Sequence, residues 1–138
     1  MIIGFTGSRK HMISGQMIKV TALLSKYKPI LVVHGGCVGA DSVFHEIAIN
    51  LGIPVKVRPS NLKGFHAICP GAIEICEPEK PLVRNRKIVD ECDLLIAAPD
   101  GPEKVRSGTW STVRYARKMR KDHRILEPCL PFGVPPTA

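Results

Sequence analysis

Apolar residues fall along this chain in short runs and helical stripes that alternate. "MIIGFT" (1–6) is an apolar run of strand length. Over residues 12–26 the apolar positions Ile13, Met17, Val20 and Leu24 are spaced four, three and four, the pattern of one greasy helix face. Pro29 interrupts, and "ILVVH" (30–34) follows, β-branched and without polar alternation, as befits a parallel strand buried on both sides. Gly35-Gly36 ends that run. Residues 39–51 predict a helix carrying Val43, Phe44, Ile47, Ala48 and Leu51, with Gly52 at its C-terminal cap. "IPVKVR" (53–58) predicts a third strand, residues 82–91 a third helix and "CDLLIAAP" (92–99) a fourth strand. After the loop "DGPEKVRSG" (100–108), Ser107 is placed to cap a helix from Gly108 to about Lys121. "HRILEP" (123–128) reads as a fifth strand.

Two segments break the alternation. Residues 59–81 hold Pro59, Pro70, Pro78 and Pro81 with Gly64 and Gly71 between them, and read as a long irregular excursion. Residues 129–138, "CLPFGVPPTA", read as a proline-rich tail whose Leu130, Phe132 and Val134 pack across a dimer or back onto the domain. The rest, residues 1–128, is expected to be one α/β domain. Its predicted architecture is Rossmann-like and doubly wound, a mainly parallel sheet of about five strands with helices on both faces. Ligands of such sheets bind beyond the carboxyl ends of the strands.

Three predicted turns at that edge share one chemistry. The first strand runs into Gly7-Ser8-Arg9, the second into Gly35-Gly36 with Gly39 and Asp41, and the fourth leads to Ser107-Gly108-Thr109. Glycine lets a ligand touch the backbone, and the helix starting at each turn offers unpaired N–H groups and a positive dipole end. Arg9 beside them neutralises an anion. A phosphate, or a ribose phosphate, is the guest this pattern suits. Arg84-Asn85-Arg86 opens another helix, where cations oppose the dipole, so ligand contact is the reading preferred there. Asp41 is placed either to accept ribose hydroxyls or to complement the helix dipole; His45 is read as structural and Trp110 as core. Neither G-x-G-x-x-G nor G-x-x-x-x-G-K-[ST] occurs.

Charge adds a direction. Twenty Lys and Arg against twelve Asp and Glu leave +8, which favours an anionic partner. No apolar run reaches the roughly 20 residues that span a bilayer, and no signal peptide is read, so a cytoplasmic protein away from membranes is expected. Cys37, Cys69, Cys76, Cys92 and Cys129 are odd in number and read as reduced thiols. His34/Cys37 and His66/Cys69 have zinc-like spacing, but the reading assigns no metal and no cofactor.

"GFTGSRK", "HGGCVGAD", "RNRKIVDECDLLIAAP" and "SGTWSTVRYARK" occur in an order that resembles the SLOG superfamily, over about residues 1–121. That group includes the Rossmann domain of DNA-processing protein A, the Lonely Guy phosphoribohydrolases and small stand-alone YspA-like and YpsA-like proteins, which it resembles most. The resemblance implies a Rossmann-like sheet, a nucleotide-derived ligand at its strand ends and self-association into a homo-oligomer. The phosphoribohydrolases carry a G-G-x-G-T-x-x-E motif whose glutamate assists cleavage; here Thr112 stands at that position. A hydroxyl of ordinary pKa does not replace a carboxylate as general base. The leading expectation is therefore a nucleotide-binding module, sensor or sequestering. The alternatives are an enzyme cleaving an N-glycosidic or phosphate bond with Asp41 or Glu46 as acid/base, and a single-stranded nucleic-acid binder.

Overall fold

The computed structural model describes residues 1–128; the tail 129–138 lies outside the described residues. The chain runs β1 (Ile2–Gly7), α1 (Ser14–Tyr27), β2 (Leu31–His34), α2 (Ala40–Asn50), β3 (Val55–Val57), β4 (Glu74–Ile75), α3 (Pro81–Glu91), β5 (Leu94–Ala98), α4 (Gly108–Lys118) and β6 (Asp122–Ile125). The strands form one sheet in the order β4-β3-β2-β1-β5-β6, and every pairing is parallel. The chain winds outward from β1 to β4, then crosses back to place β5 on the other side of β1. The topological switch point, where such folds open a crevice, therefore lies between β1 and β5.

Period-two alternation in the strands sorts side chains onto two faces. Ile3, Phe5, Val32, Val55, Val57, Leu94 and Ile96 pack with Val20 and Leu24 of α1 and Ala40, Phe44 and Ala48 of α2. Val33 and Leu95 pack with Ile88 and Val89 of α3 and Ala116 of α4, and Ala97 packs with Trp110 and Val113 of α4. Phe5 and Phe44, both fully buried, stack at 4.2 Å between ring centroids.

Local chemistry sets the helix ends. Gly52 (φ +74°) follows the last turn of α2, its N–H bonding Ile49 O while the Ile53 N–H bonds Ala48 O. That paired geometry stops a helix by satisfying its orphan carbonyls. Ser107 caps α4 by accepting from the Trp110 N–H at 3.2 Å.

The structure adds detail to the sheet and moves one residue off the predicted helix face. The sheet has a sixth strand: β4 lies inside the 59–81 segment, with the Ile73 and Cys76 N–H groups bonding Val55 O and Val57 O. It is short, and both its residues are exposed, so no apolar run marks it. The inward face of α1 is Gln16, Val20 and Leu24, whereas Met17 is exposed. Gln16 is a polar residue on that face because its Nε2 donates to Pro99 O and Leu126 O, each at 2.8 Å, and its Oε1 accepts from the Ile13 N–H. Backbone hydrogen bonds hold the irregular excursion. The Val38 N–H bonds Phe65 O, the Ala67 N–H bonds Gly36 O, and Ser60 bridges Glu79. No helix of the described residues is long and apolar enough to cross a membrane.

Candidate functional site

At the carboxyl edge, beside the switch point, the structure opens a cleft of about 390 Å³. Its floor is Phe5, Thr6, Gly7 and Ser8 at the end of β1. Gly35, Cys37 and Asp41 come from the β2–α2 turn, Pro81, Arg84, Asn85 and Ile88 from α3, and Ser107, Gly108 and Thr109 from the start of α4. Turns predicted separately thus share one cavity. Gly36, Gly39, Arg86 and Glu46 are not among its lining residues. Glu46 is exposed on α2, and Arg86 is exposed with its guanidinium over the Tyr115 ring at 5.5 Å, so neither faces the cleft. The lining also includes Lys10, Asp100, Lys104 and Arg106. The motif reading passed over Asp100, Lys104 and Arg106 because they lie in a loop without periodicity. The signal available was Asp100's place directly after the β5 run, at the strand's carboxyl end.

The glycines divide into two kinds. A methyl on Gly7 would lie 2.5 Å from the Ala40 Cβ, and one on Gly35 would run into the Arg84 guanidinium. Gly39 (φ +93°) has the Arg9 backbone against it, so both conformation and space demand glycine. These positions are set by the protein's own packing. Gly108 differs: it has no positive φ, and a methyl there would meet nothing within 4 Å. Its side faces open space at the start of α4, where an α-helix leaves its first N–H groups unpaired.

Arg84 is buried and spends its donors on the protein. Nη1 donates to Gly35 O at 2.9 Å and to Arg58 O at 3.0 Å, Nε donates to Asn85 Oδ1 at 2.7 Å, and Nη2 approaches Cys37 Sγ at 3.8 Å. It brings charge to the cleft wall and stitches α3 to the ends of β2 and β3. Nη1 thus grips backbone carbonyls, while the residue still lines the cleft. Arg58, whose carbonyl it holds, is itself fixed by Glu91 through Nε–Oε1 at 2.6 Å.

Asp41 is buried beside Arg84 and accepts from the Cys37 N–H at 3.2 Å. Burial drives its carboxyl up to about 6, although the Cys37 N–H, the Arg84 charge and the Gly35 N–H all favour the ionised form. Burial, with Asp41 adding to it, also holds the Cys37 thiol above its ordinary range, so the thiol stays protonated at neutral pH. The other cations are less committed. Lys10 and Lys104 share Asp100 at 3.7 and 3.5 Å, while Arg9 and Arg106 form no ion pair among the described residues. The cleft therefore carries a net positive charge even with Asp41 and Asp100 ionised.

Thr112 is buried, and its hydroxyl donates to Gly108 O at 2.8 Å within α4. It does not line the cleft, so this position supplies no acid or base there. Trp110 is buried, with Nε1 donating to Gly101 O at 3.2 Å, as expected of a core residue.

The zinc-like pairs do not assemble as spaced. The Cys37 and His66 backbones pair, but the His66 ring bonds Ser60 O at 2.7 Å. Instead, His34, His45 and Cys69 bring ligating atoms within 4.8 Å of one another. A hydrogen-bond chain already runs through both rings. The Gly36 N–H donates to His34 Nδ1 at 2.9 Å, so the His34 proton sits on Nε2 and is donated to His45 Nδ1 at 2.9 Å. His45 Nε2–H in turn donates to Pro70 O at 2.7 Å. A metal on His34 Nε2 would push the ring proton to Nδ1, against the Gly36 N–H. The donor set in this arrangement does not fit a metal. Burial, then the neighbouring His45 and Arg84, lowers His34 to about 3, so the ring is neutral at physiological pH. His45, read from the sequence as structural, is buried in that chain.

No family model matches the chain, and no curated protein matches it. Solved structures do. The molybdenum cofactor binding protein of Rippkaea orientalis superposes with a TM-score of 0.71 at 19% identity, over 91% of this chain and 76% of that one. The Moco carrier protein of Chlamydomonas reinhardtii gives 0.65 at 18% identity, over 91% and 75%. DNA processing protein A of Helicobacter pylori, described by its single-stranded DNA binding mode, gives 0.65 at 21% identity, over 98% and 68%. The fold is therefore the Rossmann-like one that the alternation of strands and helices predicts, and these structures share it.

Proposed function

We propose that this chain binds a nucleotide or nucleotide-derived ligand, one containing a phosphorylated ribose, as a sensor or sequestering module. The observation that carries the reading is the meeting of the β1 turn, the β2–α2 turn and the α4 N-terminus around one cationic cleft at the switch point. The phosphate sits at the start of α4, where Gly108 leaves space, the helix dipole is positive, and Arg9 and Arg106 supply charge. Asn85 and Asp100 supply acceptors for ribose hydroxyls. That proteins sharing the fold are described as binding a molybdenum cofactor supports a small-molecule guest.

The test is titration calorimetry with AMP, ADP and ADP-ribose, each against adenosine, and with a single-stranded oligonucleotide. The phosphorylated ligands are expected to give saturable heats that weaken with salt, and adenosine to bind far less. Flat heats with all small ligands, from folded protein, end the reading. An oligonucleotide that binds while they do not transfers the cleft to nucleic acid.

Asp41 favours a second reading, cleavage of a nucleotide. It lines the cleft and titrates near neutrality, as an acid/base must. Release of base or phosphate from nucleoside monophosphates that disappears in Asp41→Asn supports it; intact substrate rejects it.

A further inference from the structure

Arg9 stands on the cleft wall, but what holds it is a residue outside the cleft. Its guanidinium carbon lies 3.7 Å from the centroid of the Phe65 ring, a distance attainable only over the ring's face. Phe65 belongs to the segment between β3 and β4 and does not line the cavity. That segment is stitched to the β2–α2 turn: the Val38 N–H bonds Phe65 O at 2.9 Å, the Ala67 N–H bonds Gly36 O at 2.8 Å, and Cys37 pairs with His66. The ring is therefore fixed to one of the turns that builds the cleft, and the arginine of another turn rests on it.

A guanidinium donates in its own plane and is attracted to an aromatic ring through its face. Stacking on Phe65 thus leaves the in-plane N–H groups of Arg9 unspent, and Arg9 has no carboxylate partner among the described residues. Arg84 is the converse, with its in-plane donors engaged on Gly35 O, Arg58 O and Asn85. A free arginine loses much rotamer entropy when a ligand orders it; one already laid on a ring loses less.

We propose that Phe65 is a positioning residue: it pre-orders Arg9 as the arginine that grips the ligand's phosphate, so that the excursion between β3 and β4 sets the cleft's affinity for anions. This rests on the nucleotide-binding reading above. The experiment compares wild type, Phe65→Leu and Phe65→Tyr. Leucine keeps an apolar side chain and removes the π face; tyrosine restores the face. Affinities for AMP, ADP and ADP-ribose are measured by calorimetry. In parallel, the Arg9 side-chain protons are followed by NMR in the ligand-free proteins. The expected result is a ring-current upfield shift of the Arg9 protons in wild type and Phe65→Tyr that is lost in Phe65→Leu. Affinity for the phosphorylated ligands should fall roughly two- to five-fold in Phe65→Leu and return in Phe65→Tyr. A wild type that binds, with Phe65→Leu binding equally well, overturns the proposal and leaves the nucleotide reading standing. So does an Arg9 spectrum without ring-current shift, which needs no ligand and does not depend on the variant folding. A wild type that binds none of the three ligands fails the nucleotide reading, and this proposal with it.

Discussion

Two buried groups near the cleft titrate in opposite senses, and separating them tests the electrostatics of the site directly. Asp41 rises from an ordinary 3.8 to about 6 on folding, so between those values the folded chain holds a proton that the unfolded chain has released. Its contribution to stability is full below the unfolded value and is lost as pH rises through about 6. His34 falls from 6.5 to about 3, so the unfolded chain takes the proton, and stability is gained as pH rises over that range. Across the shared window the two slopes cancel, and the wild type shows little pH dependence from this pair. Asp41→Asn keeps an acceptor for the Cys37 N–H and removes one titration. At about 1.36 kcal/mol per pKa unit, the gap between 3.8 and about 6 is worth about 3 kcal/mol. The stability of Asp41→Asn minus that of wild type should therefore grow by about 3 kcal/mol between roughly pH 4 and pH 7, with carboxylates common to both proteins cancelling. Urea denaturation of both proteins across that range measures it, with equal m-values required for the comparison. Two curves that stay parallel throughout would refute the claim that Asp41 is desolvated in the folded chain.

Other outcomes follow from the same geometry. Arg84→Ala strands the carbonyls of Gly35 and Arg58 and should cost about 3 kcal/mol, lowering the melting temperature by roughly 10 °C; a change within a degree or two would show these bonds to be dispensable. The glycines should separate in thermal melts. Gly35→Ala drives a methyl into the Arg84 guanidinium and is destabilising, whereas Gly108→Ala meets open space and should gain about 0.4–1 kcal/mol. Equal behaviour of the two would contradict the packing described. Ser107→Ala removes the cap on the Trp110 N–H and should cost about 1 kcal/mol in denaturant unfolding, with no loss if solvent replaces the bond fully.

Much of this molecule is legible in its pattern. Uninterrupted apolar runs such as "ILVV" must be covered on both sides, and helices between them force a parallel sheet. The helix starts at Gly108 and the cap at Gly52 are local events, decided by residues within a turn of each other. β4 escapes notice because a two-residue exposed edge strand has no periodicity of its own; it exists because β3 offers an unpaired edge. Gln16 on the inner face of α1 escapes for a similar reason, since its partners Pro99 and Leu126 are far along the chain. The same holds for Phe65, whose relation to Arg9 no spacing rule contains.

By itself, the order of residues determines the layered α/β architecture and which turns reach the carboxyl edge, because both follow from short-range periodicity and from the handedness of parallel connections. Only the tertiary structure decides how the charges there are used. Arg84 and Arg9 look alike as letters, yet one is bound to buried carbonyls and the other lies on an aromatic face with its donors open. That difference comes from distant backbone groups and their burial. Long-range packing also sets Asp41 near neutrality and keeps His34 uncharged, since desolvation acts through three-dimensional surroundings and not through sequence neighbours.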